Sequence, residues 1–295
     1  MHIYRNYFLA MRPWSFSMSF ISVSVGAAFA ALDGPFAWGI YFATLIGMIA
    51  LHGAANLYND FFDVRSGVDT AATATAQYRP HPLVEGKLQS GQVLALAIAM
   101  NLIGASIGFW LTFTRGLPVL YIGAAGVMTV IFYTAPPFQF KYKAMGEFFV
   151  FLMWGPLAFA GAYFVQRQTF STQALLVSIP FGMLVALVLL ANNIRDIKSD
   201  SSQGINTIAI ALGQKKGSAL FIAIIVIAYA AIIAMSISGV LGWWSLITLI
   251  SIPLALKLIS AIAKQIPIDA DARTAQLDTA FGMLLLLSLV LERLI

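Results

Sequence analysis

The sequence predicts an all-α membrane protein, a polytopic bundle of nine transmembrane helices. Sixty percent of its 295 residues are hydrophobic and only 10% are charged, whereas roughly a quarter of the residues in soluble domains are charged. Apolar runs close to the ~20 residues that cross a bilayer recur along the whole chain. Helices are expected because lipid cannot satisfy the open backbone edges of strands. No part of the chain has the composition of a separate soluble domain, so we expect residues 1–295 to form a single integral membrane domain.

The nine candidate helices are apolar runs bounded by glycine, proline or charged residues. The first follows "MRPW" and ends before "DGP"; the second begins after that turn and ends in an Asn/Asp-rich stretch. "TRGLP" separates the third from the fourth, and "KYKAMGE" precedes the fifth. The sixth follows "RQTFST", the seventh follows "GQKK", the eighth follows "SISG" and the ninth follows "DADART". The expected bounds are 14–32, 37–58, 92–112, 117–134, 147–165, 173–194, 217–237, 241–262 and 276–292.

The distribution of charge predicts the orientation in the membrane. All but three of the 17 lysines and arginines lie at the N-terminus, in the even-numbered connections or, for Lys257, near the end of the eighth helix that leads into one; the exceptions are Arg115, Arg167 and Arg293. Because basic residues favour the cytoplasmic side, we expect a multi-pass protein of the cell (inner) membrane with a cytoplasmic N-terminus. The same side holds every acidic residue except Asp33 and Glu292. The topology rule does not explain that bias, which indicates a polar working face.

Two Asn/Asp-rich stretches occur where predicted helices end on this cytoplasmic side. They are "NLYNDFFDVRSGVD", residues 56–69, and "NNIRDIKSD", residues 192–200. In each stretch polar residues recur at intervals of three or four, so each can present a polar stripe inward if its helix continues. The carboxylates of the two stretches are Asp60, Asp63, Asp69, Asp196 and Asp200.

Carboxylates in this number favour a metal site. Facing one cavity, they would repel each other strongly at low dielectric unless cations lay between them. Magnesium accepts a few carboxylates while keeping positions for waters and substrate phosphates, so the two stretches suit a diphosphate held through bridging ions. A single aspartate at a helix end is usually a solvated cap. Two clusters at equivalent depths on one side favour a functional site instead.

Other classes of site find little support in the sequence. The absence of cysteine removes disulfides, thiolate nucleophiles and cysteine-ligated metals. The net charge of +5 is scattered among the connections and forms no basic run, so we expect no nucleic-acid partner. We interpret His52 as a packing residue and His81, between two prolines, as a structural one. There is no dinucleotide-binding or phosphate-loop signature.

With these motifs the sequence resembles the UbiA superfamily of intramembrane aromatic prenyltransferases. "NDFFDVRSGVD" is similar to the first Asp-rich motif of that family and "DIKSD" to the second. "MRPWSF", "YRPHPLVEGKL" and "YTAPPFQFKYKAMGE" resemble its N-terminal Arg-Pro, its basic segment and the connection after its fourth helix. The position of Asp69, two residues after Gly67, resembles the menaquinone branch, the 1,4-dihydroxy-2-naphthoate polyprenyltransferases. "NNIRDIKSDSSQGINTIAIALG" and "TAQLDTAFGMLLLLSLVL" also resemble that branch.

The resemblance implies Mg²⁺-dependent transfer of a polyprenyl group from its diphosphate to an aromatic acceptor, at a site on the cytoplasmic side. With 1,4-dihydroxy-2-naphthoate as the acceptor, the reaction would lose carbon dioxide and yield demethylmenaquinol for menaquinone biosynthesis. The partners would be the polyprenyl diphosphate, the acceptor and membrane lipid. The metal ligands would be the five aspartates named above. The candidate catalytic residues are Asp63, Asp196 and Lys141, and the candidate substrate-binding residues are Asn59, Asn192, Arg12, Arg79 and Tyr142.

Two departures from the menaquinone branch leave the acceptor open. "AATATAQYRPHPLVEG" lacks the Gly-Pro and basic residue that often follow "GVDT", and "SSQGINT" has Ile205 and Asn206 where a basic pair is common. Other acceptors are therefore retained as alternatives: 4-hydroxybenzoate, a chlorophyll-type ring, a haem vinyl group or a glycerol phosphate. A secondary transporter is an alternative from another class, and it predicts broken helices with ion-coupling carboxylates near the bilayer midplane.

Overall fold

A computed structural model describes residues 2–295 as helices joined by short connections, without a β-strand among them; Met1 lies outside the described residues. Eight helical segments are long and apolar enough to cross a bilayer, and a ninth, Leu117–Phe132, is apolar but has only 16 residues. The predicted fold class, an all-α polytopic membrane bundle, is confirmed. The eight long segments are Pro13–Leu32, Trp38–Arg65, Ser90–Arg115, Gly146–Arg167, Thr172–Arg195, Ile208–Ile237, Trp243–Lys264 and Ala270–Leu294.

We number the α-helices in chain order. They are α1 (His2–Ala10), α2 (Phe16–Leu32), α3 (Trp38–Arg65), α4 (Ala74–Tyr78), α5 (Ser90–Arg115), α6 (Leu117–Phe132), α7 (Gly146–Leu152), α8 (Ala158–Arg167), α9 (Thr172–Arg195), α10 (Ile197–Ser202), α11 (Ile208–Ile237), α12 (Ile252–Lys264) and α13 (Ala270–Leu294). Short 3₁₀ segments, Pro13–Ser15 and Trp243–Ser251, precede α2 and α12 and belong to the same spans.

Three predicted helix boundaries differ from the structure by six residues or more, and one of them is the start of the ninth helix, expected at 276 but found at Ala270. The second predicted helix was expected to end at residue 58, but α3 continues to Arg65, so Asp60 and Asp63 lie within it. The seventh was expected to begin at 217, but α11 begins at Ile208. Its first turns bend at Gly213, where φ is +74°, a left-handed conformation that glycine adopts without a steric penalty. Lys215 and Lys216, which follow this kink, have the composition of a loop, but they lie in the helix.

The span from Gly146 to Arg167 contains a π-helical segment, Met153–Leu157, between α7 and α8. Pro156 lies inside it. A proline lacks the backbone N–H and its ring crowds the preceding turn, so it disrupts a regular α-helix. The wider π turn keeps the span continuous around Pro156.

The buried apolar side chains form two principal clusters. The larger one joins α2, α9, α11 and α13 through residues such as Phe181, Phe221 and Phe281. The other joins α1, α3 and α5 around Leu57 and Val93. Many large apolar side chains remain exposed on the outside of the bundle, as expected for a surface that faces lipid. The two Asp-rich helix ends, on α3 and α9, belong to different clusters and meet between them.

Candidate active site

A cavity of about 420 Å³ lies between the ends of α3 and α9. Both Asp-rich stretches line it, as do Arg12, Arg79 and Lys141 from other parts of the chain. The structure therefore brings most of the candidate residues together around one volume. The lining includes Asn59, Asp63, Asp69, Asn192, Asp196 and Asp200. Asp60 and Tyr142 lie behind its wall, in contact with the lining residues Arg12 and Asp63.

Asp63 is fully buried and is held by the connection after α6. Lys141 Nζ and the Tyr142 hydroxyl both donate to its carboxylate. The Asn59 amide completes this group: with its nitrogen facing Asp63, it donates to Oδ2 at 3.0 Å, and its oxygen accepts from Lys141 Nζ at 3.2 Å. Burial disfavours the ammonium of Lys141, but the charges of Asp63 and Asp69 outweigh that effect and raise the pKa of Lys141. Lys141 is therefore a cation at neutral pH.

Backbone contacts with the segment before α11 fix the residues that directly follow Lys141. Asn206 N donates to Tyr142 O at 3.1 Å, and Ala144 N donates to Asn206 O at 2.8 Å. Asn206 is one of the positions where this sequence departs from the pattern of the menaquinone branch. Its side chain takes no part in these contacts, so another residue type at this position could preserve them.

The remaining carboxylates of the first stretch form a second group with Arg12 and His81. Arg12 pairs with Asp60. His81 Nε2 lies 3.2 Å from Asp69 Oδ2 and 3.7 Å from Asp60 Oδ1. Burial acts to raise the pKa of Asp69, but the hydrogen bond with His81 and the charges of Lys141 and Arg12 outweigh it and lower the pKa well below the usual range. Asp69 is therefore ionised.

His81 is the residue of this group that the sequence interpretation missed. One ligand atom from each of Asp60, Asp69 and His81 lies within 4.8 Å of the other two, close enough to share a metal ion. Carboxylate oxygens suit a hard divalent cation, and an imidazole nitrogen is a common additional ligand for transition metals. The only sequence signal was a histidine following the Asp-rich stretch, and a flanking proline on each side made a structural role the simpler interpretation.

The second Asp-rich stretch is organised by Arg195, the last residue of α9. Its guanidinium donates to both carboxylate oxygens of Asp196, at 2.8 and 2.6 Å, and also to Asn192. The helix breaks at Asp196 and restarts as α10, so the continuous helix that would have aligned Asn192, Asp196 and Asp200 on one face does not form. Burial and the neighbouring charge of Asp196 raise the pKa of Asp200 to about 6. A carboxylate in such surroundings favours a cation nearby.

Asp271, in the first turn of α13, links the two halves of the site. It accepts from the Tyr78 hydroxyl at 2.5 Å and from Arg195 Nη1 at 3.2 Å, and it lies 3.7 Å from Arg79 Nη1. Burial, together with the hydrogen bond to Asp271, raises the pKa of Tyr78 to about 12, so the phenol remains a neutral donor. The sequence interpretation gave Asp271 no role because it lies far from both stretches in the chain.

Away from the charged groups, the cavity is lined by apolar side chains, among them Met18, Val130, Met153, Val185 and Leu189. His52 also lines it, but Ser19 Oγ lies 2.7 Å from its Nδ1 and Ser15 Oγ 3.2 Å from its Nε2. With both ring nitrogens engaged, His52 behaves as the packing residue that its sequence position indicated. The cavity as a whole is charged at one end and apolar at the other, a shape suited to an amphiphile with an anionic head.

Comparison with known proteins identifies the family. The model of the UbiA prenyltransferase family matches residues 19–286. A 1,4-dihydroxy-2-naphthoate octaprenyltransferase of Bacillus subtilis is 28% identical over 95% of this chain and 91% of the relative. A UbiA prenyltransferase domain-containing protein 1 of Dictyostelium discoideum is 30% identical over 93% of this chain and 84% of the relative.

Solved structures share the fold. A UbiA homologue from Aeropyrum pernix K1 superposes with a TM-score of 0.69 at 18% identity, covering 96% of this chain and 98% of that one. A UbiA homologue from Archaeoglobus fulgidus bound to GPP and Mg²⁺ superposes with a TM-score of 0.66 at 13% identity, covering 95% of this chain and 99% of that one. The chain belongs to the UbiA prenyltransferase family, and it is a membrane-embedded prenyltransferase.

Proposed function

We propose that the protein transfers a polyprenyl group from polyprenyl diphosphate to 1,4-dihydroxy-2-naphthoate, with loss of carbon dioxide, to give demethylmenaquinol for menaquinone biosynthesis. One observation carries the proposal: Asp63, Asp69, Asp196 and Asp200 line a single cavity together with basic residues. The rest of the cavity is lined by apolar side chains. The choice of acceptor is supported by the similarity to the octaprenyltransferase of B. subtilis. Family membership removes the transporter alternative.

We propose Mg²⁺ as the cofactor, held by carboxylates of the two stretches. These residues fit Mg²⁺, because they offer carboxylate oxygens, the ligands that Mg²⁺ prefers, at one end of the cavity. A related structure was obtained with GPP and Mg²⁺ bound. When bound, Mg²⁺ would neutralise the diphosphate and stabilise the charge that it gains as leaving group. The candidates are Asp60, Asp63 and Asp69 from the first stretch, with His81 beside them, and Asp196 and Asp200 from the second.

The chain's own groups assist the separation of charge. As the allylic C–O bond breaks, its electron pair leaves with the diphosphate, and the cations of Lys141, Arg12 and Arg79 stabilise the growing negative charge. The apolar lining excludes water from the allylic carbocation, and the aromatic residues Tyr133 and Trp154 line the cavity, where a ring face can stabilise a cation. The ring carbon of the acceptor then bonds to the prenyl carbon, and the electron pair of its carboxylate bond returns to the ring as carbon dioxide leaves.

We further propose that the cavity opens to the cytoplasm and that residues 1–295 act as one domain. The charge distribution in the connections supports this orientation, because the cavity lies on the side that holds all but three of the basic residues. A cysteine placed at Lys198, in this cysteine-free chain, is expected to react with a membrane-impermeant thiol reagent only when the inner face of the membrane is open to it. Labelling of intact cells would contradict the orientation.

The acceptor is tested by a paired assay. Purified protein in detergent is incubated with geranylgeranyl diphosphate and Mg²⁺, with either 1,4-dihydroxy-2-naphthoate or 4-hydroxybenzoate, and products are read by mass spectrometry. We expect a prenylated naphthoquinol that has lost carbon dioxide, and no product after Mg²⁺ is removed with a chelator. Prenylated 4-hydroxybenzoate alone would retain the reaction class but overturn the proposed acceptor.

Asp271→Asn is expected to weaken donor binding by loosening the link between Arg79, Arg195 and Tyr78. The amide can still accept from the Tyr78 hydroxyl, but it no longer neutralises the guanidinium groups of Arg79 and Arg195, whose side chains are 20% and 7% exposed. We expect the KM for the prenyl diphosphate to rise about 10-fold, equivalent to ~1.4 kcal/mol, with a smaller change in kcat. Asp269→Asn is the matched control, because Asp269 is exposed and pairs only with Arg273 among the described residues. Equal effects of the two changes would contradict a role for Asp271 at the site.

A further inference from the structure

A pair of buried polar side chains joins α7 to α9 beside the active-site cavity. Glu147 lies in the first turn of α7, and Asn193 lies in the last turn of α9. Asn193 Nδ2 donates to Glu147 Oε1 at 2.9 Å. Asn193 lines the cavity, whereas Glu147 lies behind it and does not belong to the lining. The transfer step described above gives this pair no role.

The pair fixes the orientation of the Asn193 amide. Glu147 Oε2 is buried and has no hydrogen-bond partner among the described residues, so the Asn193 N–H is the donor that satisfies this carboxylate. Turning the amide would place its oxygen against Glu147 Oε1 and leave a buried carboxylate without a donor, which is costly. Asn193 Oδ1 therefore faces away from Glu147. It accepts no hydrogen bond from the described residues, and it is left as a free acceptor in the cavity wall.

A second polar group lies at the same place. Tyr133, directly after α6, lines the cavity together with Asn193. A Cβ at Gly146 would lie 3.3 Å from the Tyr133 hydroxyl, so this hydroxyl packs against the backbone just before Glu147. It forms no hydrogen bond with the described residues. The wall at the start of α7 thus offers an amide oxygen that can accept and a hydroxyl that can donate.

Apolar and aromatic side chains flank these two groups. A Cβ at Gly146 would lie 3.0 Å from Leu189 Cδ2 and 3.6 Å from Lys141 Cα, so the charged end of the cavity is adjacent. Phe149 lines the cavity and stacks on Phe140 with ring centroids 4.0 Å apart. A flat ring that carries a hydroxyl suits such a wall. We call it the hydroxyl pocket, and its lining is Tyr133, Phe149, Leu189 and Asn193.

We propose that the hydroxyl pocket binds a ring hydroxyl of the aromatic acceptor, which donates to Asn193 Oδ1 and accepts from Tyr133. Glu147 is a positioning residue, because it acts through Asn193 and does not reach the cavity. This inference rests on the proposed transfer to an aromatic acceptor. The prenyl diphosphate is disfavoured in this pocket, because its oxygens only accept hydrogen bonds and would meet Asn193 Oδ1 and the charge of Glu147.

The contact with Asn193 assists the ring as a nucleophile. As a ring carbon bonds to the allylic carbon, positive charge spreads onto the oxygen of an ortho or para hydroxyl. The hydrogen bond from that hydroxyl to Asn193 Oδ1 strengthens as the charge develops. When the ionised carboxylate leaves as carbon dioxide, the electron pair of the broken C–C bond returns to the ring. The hydroxyl keeps its proton throughout, so the step needs no base.

The test measures whether one hydroxyl of the acceptor is coupled to Asn193. In wild-type protein, Asn193→Leu and Asn101→Leu, the KM is determined for 1,4-dihydroxy-2-naphthoate and for geranylgeranyl diphosphate. Inhibition constants are then measured for 1-hydroxy-2-naphthoate and 4-hydroxy-2-naphthoate, each of which lacks one hydroxyl. Asn101→Leu is the matched control, because Asn101 also lies in a membrane-spanning helix, α5, and does not line the cavity.

We expect Asn193→Leu to raise the acceptor KM about 10-fold, the scale of one lost hydrogen bond, and to leave the KM for the diphosphate unchanged. The analogue without the hydroxyl that Asn193 binds should inhibit the wild-type protein and Asn193→Leu equally, whereas the other analogue should lose about 10-fold in the variant. Asn101→Leu should match the wild-type protein throughout. Equal weakening of both analogues, or a parallel rise of both KM values, would overturn the pocket.

Two substitutions at Glu147 test its positioning role independently of the folding of Asn193→Leu. Glu147→Gln keeps an oxygen that accepts from Asn193 Nδ2, and it should hold the acceptor KM within about twofold of the wild-type value. Glu147→Leu should raise the acceptor KM about 10-fold, with the diphosphate KM unchanged. The same acceptor KM in these two variants would overturn the role of Glu147.

Failure of the proposed function gives a different result. A wild-type protein that prenylates 4-hydroxybenzoate alone would overturn the naphthoate acceptor but not the hydroxyl pocket, and benzoate, which lacks the hydroxyl, then replaces the naphthoate analogues. A wild-type protein that prenylates neither acceptor would overturn the proposed function, and the hydroxyl pocket with it.

Discussion

Asp63→Ala is expected to lower kcat/KM for prenyl transfer by about 10²–10³-fold or more, the scale on which one preorganised charged group stabilises a transition state. Asp63 is fully buried at the centre of the polar group, where it holds both Lys141 and Tyr142. Removing the carboxylate takes away a candidate metal ligand and leaves the buried ammonium of Lys141 without its nearest counter-charge. The result is measured as initial rates over a range of Mg²⁺ concentrations.

Two further variants separate loss of chemistry from loss of folding. Asp63→Asn keeps the shape of the side chain but removes its charge, and it should be nearly as inactive. Asp33→Asn is the matched control, because Asp33 accepts from Tyr163 at 2.5 Å near the start of α3, at the opposite end from the Asp-rich segment. It should retain wild-type turnover. Near-normal prenyl transfer by Asp63→Ala at saturating Mg²⁺ would show that the Asp63 carboxylate is not required for the reaction.

Asp196→Ala is the second change expected to remove most activity, again by about 10²–10³-fold. In the described structure Asp196 is neutralised by a two-point contact with Arg195, and it lines the cavity near Asp200. The variant loses a candidate metal ligand and leaves Asp271 as the carboxylate with which Arg195 is still paired. The Mg²⁺ concentration that gives half-maximal rate should therefore rise as the maximal rate falls.

The charge-conserving substitution at this position is Asp196→Glu, which keeps the carboxylate on a longer side chain. Asp196→Glu should recover part of the activity lost in Asp196→Ala, whereas Asp269→Asn, at an exposed aspartate on the same side, should have no effect. Equal Mg²⁺ dependence in Asp196→Ala and the wild-type protein would show that Asp196 does not contribute to metal binding.

Much of the fold could be predicted because each span is a local property of the chain. The sixth predicted helix, 173–194, differs from Thr172–Arg195 by one residue at each end, since apolar length and flanking charges set its limits. The start of α11 could not be predicted in the same way. Gly213, Lys215 and Lys216 have the composition of a connection, and only the path of the folded chain shows that a helical segment precedes the kink at Gly213 and that the helix resumes directly after it.

The contacts within the candidate site depend on parts of the chain that are distant in sequence. Asp60 and Asp63 are three residues apart on α3, yet one pairs with Arg12 from the N-terminal segment and the other with Lys141 from the connection after α6. Their spacing predicts that both lie near one helix face, but it contains no information about which cation reaches which carboxylate. The sequence interpretation therefore expected metal ions as the means of relieving repulsion, and missed the pairing by basic side chains.

By itself, the sequence determined the membrane class, the succession of apolar spans and the grouping of acidic residues on one side, because hydrophobic length and charge act locally along the chain. Only the tertiary structure decided that His81 approaches Asp60 and Asp69 and that Asp271 links Arg79 with Arg195. Those relations arise from helix packing between distant segments, where the position of each side chain is set by its neighbours in space.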